Sequence, residues 1–323
     1  MGSNQKPREF DLIEKLYAPL TVGESGAFLL TDDAAVLDIE VNRQLVVTTD
    51  TLVSGVHFLA DTPPDLIAAK LLGVNLSDLA SMGATPRCYT LNTVLPMDIA
   101  NDNRWLAGFV DGLAAMQEKF NLTLIGGDSV ATDGPLTLTV CAFGLVEPKK
   151  ALRRNGARVG DKVCVSGSLG DAALGLKVLK GEISSLGTEH CAFLSDRHQQ
   201  PQPRGLLGHA LADAGLATAA IDISDGLLAD VGHICAASGV DVVINAEAVP
   251  LSEAAHAALD LDPSLMDLIY NGGDDYELLF TVRQADIHKI KELSLRLQVP
   301  LTVIGSIEKG QGSARVEFLL HSR

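Results

Sequence analysis

No apolar run in this 323-residue sequence reaches the roughly 18 residues that a membrane-spanning helix needs. The opening MGSNQKPREF has no apolar signal core, so the expected location is the cytoplasm. The five cysteines, Cys88, Cys141, Cys164, Cys191 and Cys235, form no CxxC pair. Four of them (Cys88, Cys141, Cys164 and Cys235) sit in apolar surroundings. They read as reduced core residues, which excludes a zinc-ligand set and a disulfide framework. Basic side chains are scarce: 25 Lys+Arg stand against 41 Asp+Glu, a net charge of −16. That balance argues against nonspecific binding to nucleic acid or anionic membranes. Nucleotides stay open, because metal ions can mediate their contacts. Neither GxxxxGK[ST] nor GxGxxG occurs, so ATP would be handled without a P-loop or a Rossmann fingerprint.

The length exceeds what one compact core usually serves, and two domains follow. Strand signals fall at 34–39, 45–49, 87–94, 122–125 and 136–145. A helix is predicted from Pro63-Pro64 to about Met82, before Gly83, and another over about 103–119. Residues 147–161 (EPKKALRRNGARVGD) are polar and glycine-bearing and hold five of the 25 basic side chains. They read as a linker, which gives domains 1–148 and 149–323. The second half predicts strands at 162–166, 218–223, 240–244, 276–282, 301–304 and 316–320. Helices are expected at about 171–180, 204–213, 226–237 and 284–298. Strands and helices mix without strict βαβ repetition, so the expected fold class is α+β, two domains with mixed sheets.

Six aspartates on separate short motifs stand out: Asp33 in TDDAAVL, Asp50 in LVVTTD, Asp78 in NLSDLA, Asp128 in LIGGDS, and Asp222 and Asp225 in AIDISDGL. Residues 46–50, 122–128 and 219–222 each read as a buried strand delivering a carboxylate at or just past its end. Converging carboxylates about 5 Å apart repel by about 3 kcal/mol per pair at an effective dielectric of about 20. Cations relieve that repulsion. Magnesium takes one or two protein carboxylates and completes its shell with water and phosphate oxygens, so six acids point to several ions and a polyphosphate. Singly, each aspartate also reads as a cap or turn residue.

The remaining motifs divide in the same way. Thr48-Thr49-Asp50 offers a hard-oxygen set suited to magnesium, and equally a β-rich strand end. Asn75 and Asp78 share one helix face. Gly126-Gly127 before Asp128 permits close approach to a ligand, or a tight turn. Ser166-Gly167-Ser168-Leu169-Gly170-Asp171 can offer amides to an anion, or form a plain turn with a serine cap. Asp225 falls near a helix start, where an anion is favoured. Asn271-Gly272-Gly273-Asp274-Asp275-Tyr276-Glu277 is a glycine turn with three acids before a strand. His57 is a lone histidine in an apolar context.

Taken together, DDAAVL, VVTTDTLVSGVHF, AAKLLGVNLSDLASMGATP, LIGGDS, LRRNGARVGD, AIDISDGL and GGDDYELLFTV resemble the thiamine-monophosphate kinases of the aminoimidazole-ribonucleotide-synthetase-like superfamily. The order and spacing match over residues from about 10 to 307. The resemblance implies ATP-dependent phosphorylation of thiamine monophosphate to thiamine diphosphate. It also implies a homodimer built through the N-terminal domains. Carried over by residue, it implies magnesium at Asp33, Thr48, Thr49, Asp50, Asp78, Asp128, Asp222 and Asp225. ATP contacts are implied at Gly127, Asp128, Arg154 and Ser224, and substrate contacts at His57 and Asp274. The chain departs from the family pattern in three places. Thr31 stands where glycine usually precedes the acidic pair. Asp274 replaces a usual glutamate and is one methylene shorter. The end, SARVEFLLHSR, lacks an assignable aromatic closing residue.

A phosphate monoester acceptor has a second pKa of about 6 and is largely dianionic at neutral pH, so no general base is expected. The expected chemistry is direct in-line transfer by positioning and charge neutralisation, with Asp78 and Asp222 on different domains sharing ions. Two alternatives remain at this stage. One is another superfamily enzyme that activates an amide-like oxygen and releases phosphate. The other is a noncatalytic cation-binding protein, which the lack of an EF-hand loop weakens.

Overall fold

In a computed structural model of the chain, the structure describes residues 13–32, 34–183 and 185–317. They divide into two compact units. One runs up to Leu79 and includes Thr85–Pro148; the other takes Ala80–Ala84 and the residues from Lys149 onward.

The first unit carries a four-stranded sheet of β1 (Gln44–Val53), β2 (Thr85–Pro96), β3 (Thr123–Thr132) and β4 (Thr137–Val146), in the order β1-β4-β2-β3. The β2–β3 pair is parallel and the others antiparallel. β4 alternates buried and half-buried residues along its whole length, the period-2 pattern of a sheet with one face on a core. Two 18-residue helices accompany it: α1 (Pro64–Ser81) and α2 (Asn103–Phe120). The α2 helix starts at Asp102, whose carboxylate accepts the amides of Arg104 and Trp105 at 2.9 and 3.2 Å, a standard N-cap. Its buried stripe is Leu106, Phe109, Gly112, Leu113 and Met116, the i, i+3, i+4, i+7 spacing of an amphipathic helix. Gly112 sets the crossing with α1, since a Cβ there would stand 2.6 Å from the Asp65 carbonyl oxygen.

The second unit carries a six-stranded mixed sheet: β5 (Lys162–Ser166), β6 (Ala217–Asp222), β7 (Asp241–Asn245), β8 (Leu278–Val282), β9 (Leu301–Glu308) and β10 (Ala314–Glu317). Its order is β10-β7-β9-β5-β8-β6, with only the β10–β7 pair parallel. Both faces are covered. Val163, Val165, Ile221 and Leu279 lie in one apolar cluster, and Cys164, Ala220, Leu278 and Phe280 in another. Alternate residues of each strand thus feed opposite cores, and β8 is buried at every position. The helices are α3 (Asp171–Leu179), α4 (Thr188–Gln199), α5 (Gly205–Asp213), α6 (Leu227–Ser238), α7 (Glu253–Leu261), α8 (Met266–Asn271) and α9 (Ile287–Leu297).

The α+β class with mixed sheets stands. Four sequence expectations change. Residues 34–39 form no strand among those described: the Val36 amide bonds to the Gly26 carbonyl at 2.8 Å and the Asp38 carbonyl accepts from Arg87. These groups are used by a turn and a side chain and not by a ladder. Asp50 and Asp128 lie inside strands and not at their ends. β1 pairs with β4 through Val53, and β3 pairs with β2 through Thr132. β1 is also largely open to solvent on one face. The expected linker is packed against the second unit: Ala220 donates to the Arg153 carbonyl at 2.9 Å, and Leu152 and Ala157 are buried. Finally α4, α7 and α8 were not foreseen. In α4 the buried positions include Arg197 and His198, so its inner face carries charge and polarity where a hydrophobic pattern would be sought.

Candidate active site

In the first unit, strand alternation sorts the TTD motif. Thr48 and Asp50 share one face of β1, and Thr49 takes the other, where its hydroxyl donates to the Val140 carbonyl at 2.9 Å. The Thr48 hydroxyl donates to the Asp78 carboxylate on α1. Burial pushes the Asp50 carboxyl up to about 6, and the nearby Asp78 charge adds to the rise while His57 opposes it. Thr48, Asp50, Asp78 and His57 therefore form one neighbourhood, from residues as far apart as 48 and 78. His57 lies exposed on the turn after β1, and its Nδ1 accepts the Val53 amide at 3.0 Å. That bond places the ring's other N–H outward as a donor.

Gly127 and Asp128 lie on β3 beside a cavity of about 520 Å³ whose lining includes Tyr17, Asp32, Leu37, Ile125, Gly126, Gly127, Asp128 and Phe143. It combines apolar walls with a backbone edge and a few polar groups, the usual character of a small-molecule site. Gly127 has φ +153°, and a Cβ there would stand 1.8 Å from the Leu91 carbonyl oxygen. Gly127→Ala is expected to break the β2–β3 register at this point and to abolish nucleotide-analogue binding, measured by calorimetry. Unchanged affinity would remove Gly127 from the site. Asp33 lies outside the described residues.

In the second unit, Asp222 ends β6 and is buried. The amides of Ser224, Asp225 and Gly226 all donate to Asp230 Oδ2, at 3.0, 3.0 and 3.1 Å. The DISDG turn is thus closed by its own α6 carboxylate, which leaves Asp225 exposed. Ligand atoms of Asp225, Asp230 and His233 come within 4.8 Å of one another, although Asp230 is already held by the three amides. Arg154 is exposed, and its carbonyl accepts from Ser238 Oγ at 3.3 Å.

The GGDDYE turn docks on this loop. Asp274 donates its amide to the Ser224 carbonyl at 2.8 Å, and Tyr276 donates to the Ile223 carbonyl at 2.8 Å. Asp274 and Tyr276 both sit at positive φ, 62° and 50°, where L-residues are strained. The three acids of the turn have different fates. Asp274 is one-third exposed at its side chain (33%). Glu277 is fully buried and accepts from Ser166 Oγ, Arg197 Nη2 and Arg204 Nε at 2.5, 2.7 and 2.6 Å. Asp275 is buried and accepts the Gly170 and Ala172 amides at 2.7 and 3.3 Å. Amides of the glycine-bearing turn at 166–171 are therefore used internally: Gly170 by the Asp275 carboxylate, and Gly167 and Leu169 by the Pro300 and Pro250 carbonyls at 3.0 Å each.

Burial pushes Asp275 up to about 8, against the lowering effect of those amides, with Asp171 adding to the rise. A carboxyl of pKa 3.8 when unfolded loses its proton on unfolding between about pH 4 and 8. Its contribution to stability is present below about pH 4 and is lost as pH rises through 8. Asp275→Asn should flatten the pH dependence of the second unit's unfolding temperature over that range. Identical slopes for variant and wild type would refute the assignment. Glu277, Asp275, Arg197 and Arg204 were missed as a unit; the acidic run before β8 was the only legible trace.

The family model for AIR synthase related protein, N-terminal domain, matches residues 31–146, and that for the C-terminal domain matches residues 158–317. The two matched stretches are thus the two domains of the AIR-synthase-related class. The thiamine-monophosphate kinase of Salmonella typhimurium is 42% identical over 288 residues, 89% of this chain and 85% of its own length. The crystal structure of thiamine-monophosphate kinase from Stenotrophomonas maltophilia superposes with a TM-score of 0.81 at 42% identity, covering 89% of this chain and 90% of that one. AaThiL complexed with AMPPCP and TMP gives 0.75 at 30% identity, covering 97% and 94%. This chain belongs to the thiamine-monophosphate kinase family.

Proposed function

We propose that the protein transfers the γ-phosphoryl group of ATP to thiamine monophosphate, giving thiamine diphosphate and ADP. The observation that carries the reading is the Thr48–Asp50–Asp78 cluster, where burial, with the neighbouring Asp78 charge adding to it, holds the Asp50 carboxyl up to about 6. Two close carboxylates with a hydroxyl make a hard-oxygen set that fits magnesium. Asp50, Asp78 and Thr48 in the first unit, and Asp222 and Asp225 in the second, are the residues assigned to hold such ions, with Asp128, Thr49 and Asp33 from the family pattern. Bound magnesium would supply charge neutralisation for the phosphates.

The cavity at Gly126-Gly127 is assigned to ATP, and the family pattern also assigns ATP contacts to Ser224 and Arg154; AaThiL complexed with AMPPCP and TMP supports both substrates. Arg154 adds positive charge at the transferring group. The outward N–H of His57 suits a phosphate oxygen of the acceptor. The acceptor phosphate is already a nucleophile near neutral pH, so no side chain need remove a proton. Catalysis then consists of holding two anions in line.

A homodimer belongs to this reading. It is supported by edge strand β1, which leaves Leu45 and Val47 exposed by 41% and 53%, an edge that folded proteins usually cover. A cytoplasmic setting also belongs to it. Among the described residues, no helix is long and apolar enough to cross a membrane.

The test is γ-labelled ATP with thiamine monophosphate and magnesium. Label should appear in thiamine diphosphate. Label found only in inorganic phosphate would overturn the proposal and favour an amide-activating enzyme of the same fold.

A further inference from the structure

We infer that His198 is a positioning residue for the thiamine-bearing end of the substrate, acting through Asp274. The inference rests on the proposed kinase activity and on the substrate contact at Asp274 that the family resemblance implies. His198 lies in the last turn of α4 with its side chain 5% exposed, and its Nδ1 stands 3.6 Å from Asp274 Oδ2. The other carboxylate oxygen, Oδ1, accepts from the Tyr276 hydroxyl at 3.2 Å. The carboxylate is therefore flanked on both sides while its side chain keeps 33% of its surface exposed.

Both flanking groups are fixed. Arg197, the neighbour of His198, donates to buried Glu277 at 2.7 Å. Glu277 in turn is two residues from Asp275, which is clamped to the start of α3. The last turn of α4 and the strained turn carrying Asp274 thus share one anchor, which sets the angle of the carboxylate. A 3.6 Å approach is longer than a hydrogen bond, so the pair has room to tighten when the carboxylate engages a ligand.

The chemistry selects which end is read. A carboxylate accepts hydrogen bonds and attracts positive charge, and it repels phosphate. Asp274 therefore faces the cationic, amine-bearing rings of the acceptor and not its monophosphate. His198 restrains that carboxylate and touches neither phosphate.

The test compares wild type, His198→Gln, His198→Ala and Tyr276→Phe, each alone and in an Asp274→Asn background. Steady-state kinetics vary thiamine monophosphate and ATP separately. In the native background, the His198 changes should raise the KM for thiamine monophosphate roughly fivefold or more, leaving the KM for ATP within about twofold. In the Asp274→Asn background, His198→Gln should add less than about twofold, because its route is gone. An unchanged KM for the acceptor, an equal rise in both backgrounds, or a parallel rise for ATP overturns the inference. Should His198→Ala fail to fold, the near-isosteric glutamine variant and Tyr276→Phe, which loosens the other oxygen, carry the same test. Wild type without thiamine diphosphate formation would instead strike the proposed function.

Discussion

Asp78→Asn should lower thiamine diphosphate formation by about 10²-fold or more at saturating ATP, while leaving the fold as stable as before or slightly more so. The two effects have one cause. Burial is the larger cause of the rise of Asp50 to about 6, and repulsion from the like charge of nearby Asp78 adds to it. Removing Asp78 relieves that repulsion, and the Thr48 hydroxyl keeps an acceptor in the amide oxygen. The same removal takes away half of the carboxylate pair assigned to magnesium. A stability gain coupled to an activity loss is the signature of a site assembled against the folding gradient. The check is turnover as a function of magnesium alongside thermal unfolding without it. Near-native turnover at limiting magnesium would dismiss the pair as the cation site.

Glu277→Gln should have the largest effect on stability. Glu277 is 0% exposed and lies between Arg197 and Arg204, whose side chains are 9% and 21% exposed. Its neutral isostere leaves two guanidinium groups in the interior without a counter-charge. Breaking a buried ion pair from one side costs about 3–5 kcal/mol, which lowers the unfolding temperature of a unit this size by about 10 °C. Ser166 also loses its acceptor partner's charge, and the Asp274 turn loses its anchor, so the acceptor KM should rise as well. Calorimetry on variant and wild type is the check. A shift below about 2 °C would mean the two arginines are solvated by water and are not held by this carboxylate.

The parts of the fold that were legible follow from local rules. β5 and β4 showed continuous or alternating apolar residues, and α2 had a stripe, a cap and a stop. These signals need no partner to be read. The strand lengths around Asp50 and Asp128 were misjudged because a ladder can carry polar residues onward: β3 continues through Gly126-Gly127-Asp128 as long as β2 supplies hydrogen bonds. α4 escaped notice because its inner face is completed by Glu277, 80 residues away from Arg197. A buried ion network has no periodicity until both sides of it are known. The acidic motifs could be found as a set, but the division of labour within GGDDYE could not. Asp274, Asp275 and Glu277 are chemically similar, and only the backbone turn assigns one outward and two inward.

The seating of Asp275 on the amides that open α3 has a consequence for how the enzyme handles phosphate. A helix beginning is a natural resting place for an anion, and a kinase crowded with phosphate esters would otherwise offer its substrates a second berth there. By stoppering that end with its own side chain, the protein leaves charged ligands little reason to linger off the reaction path.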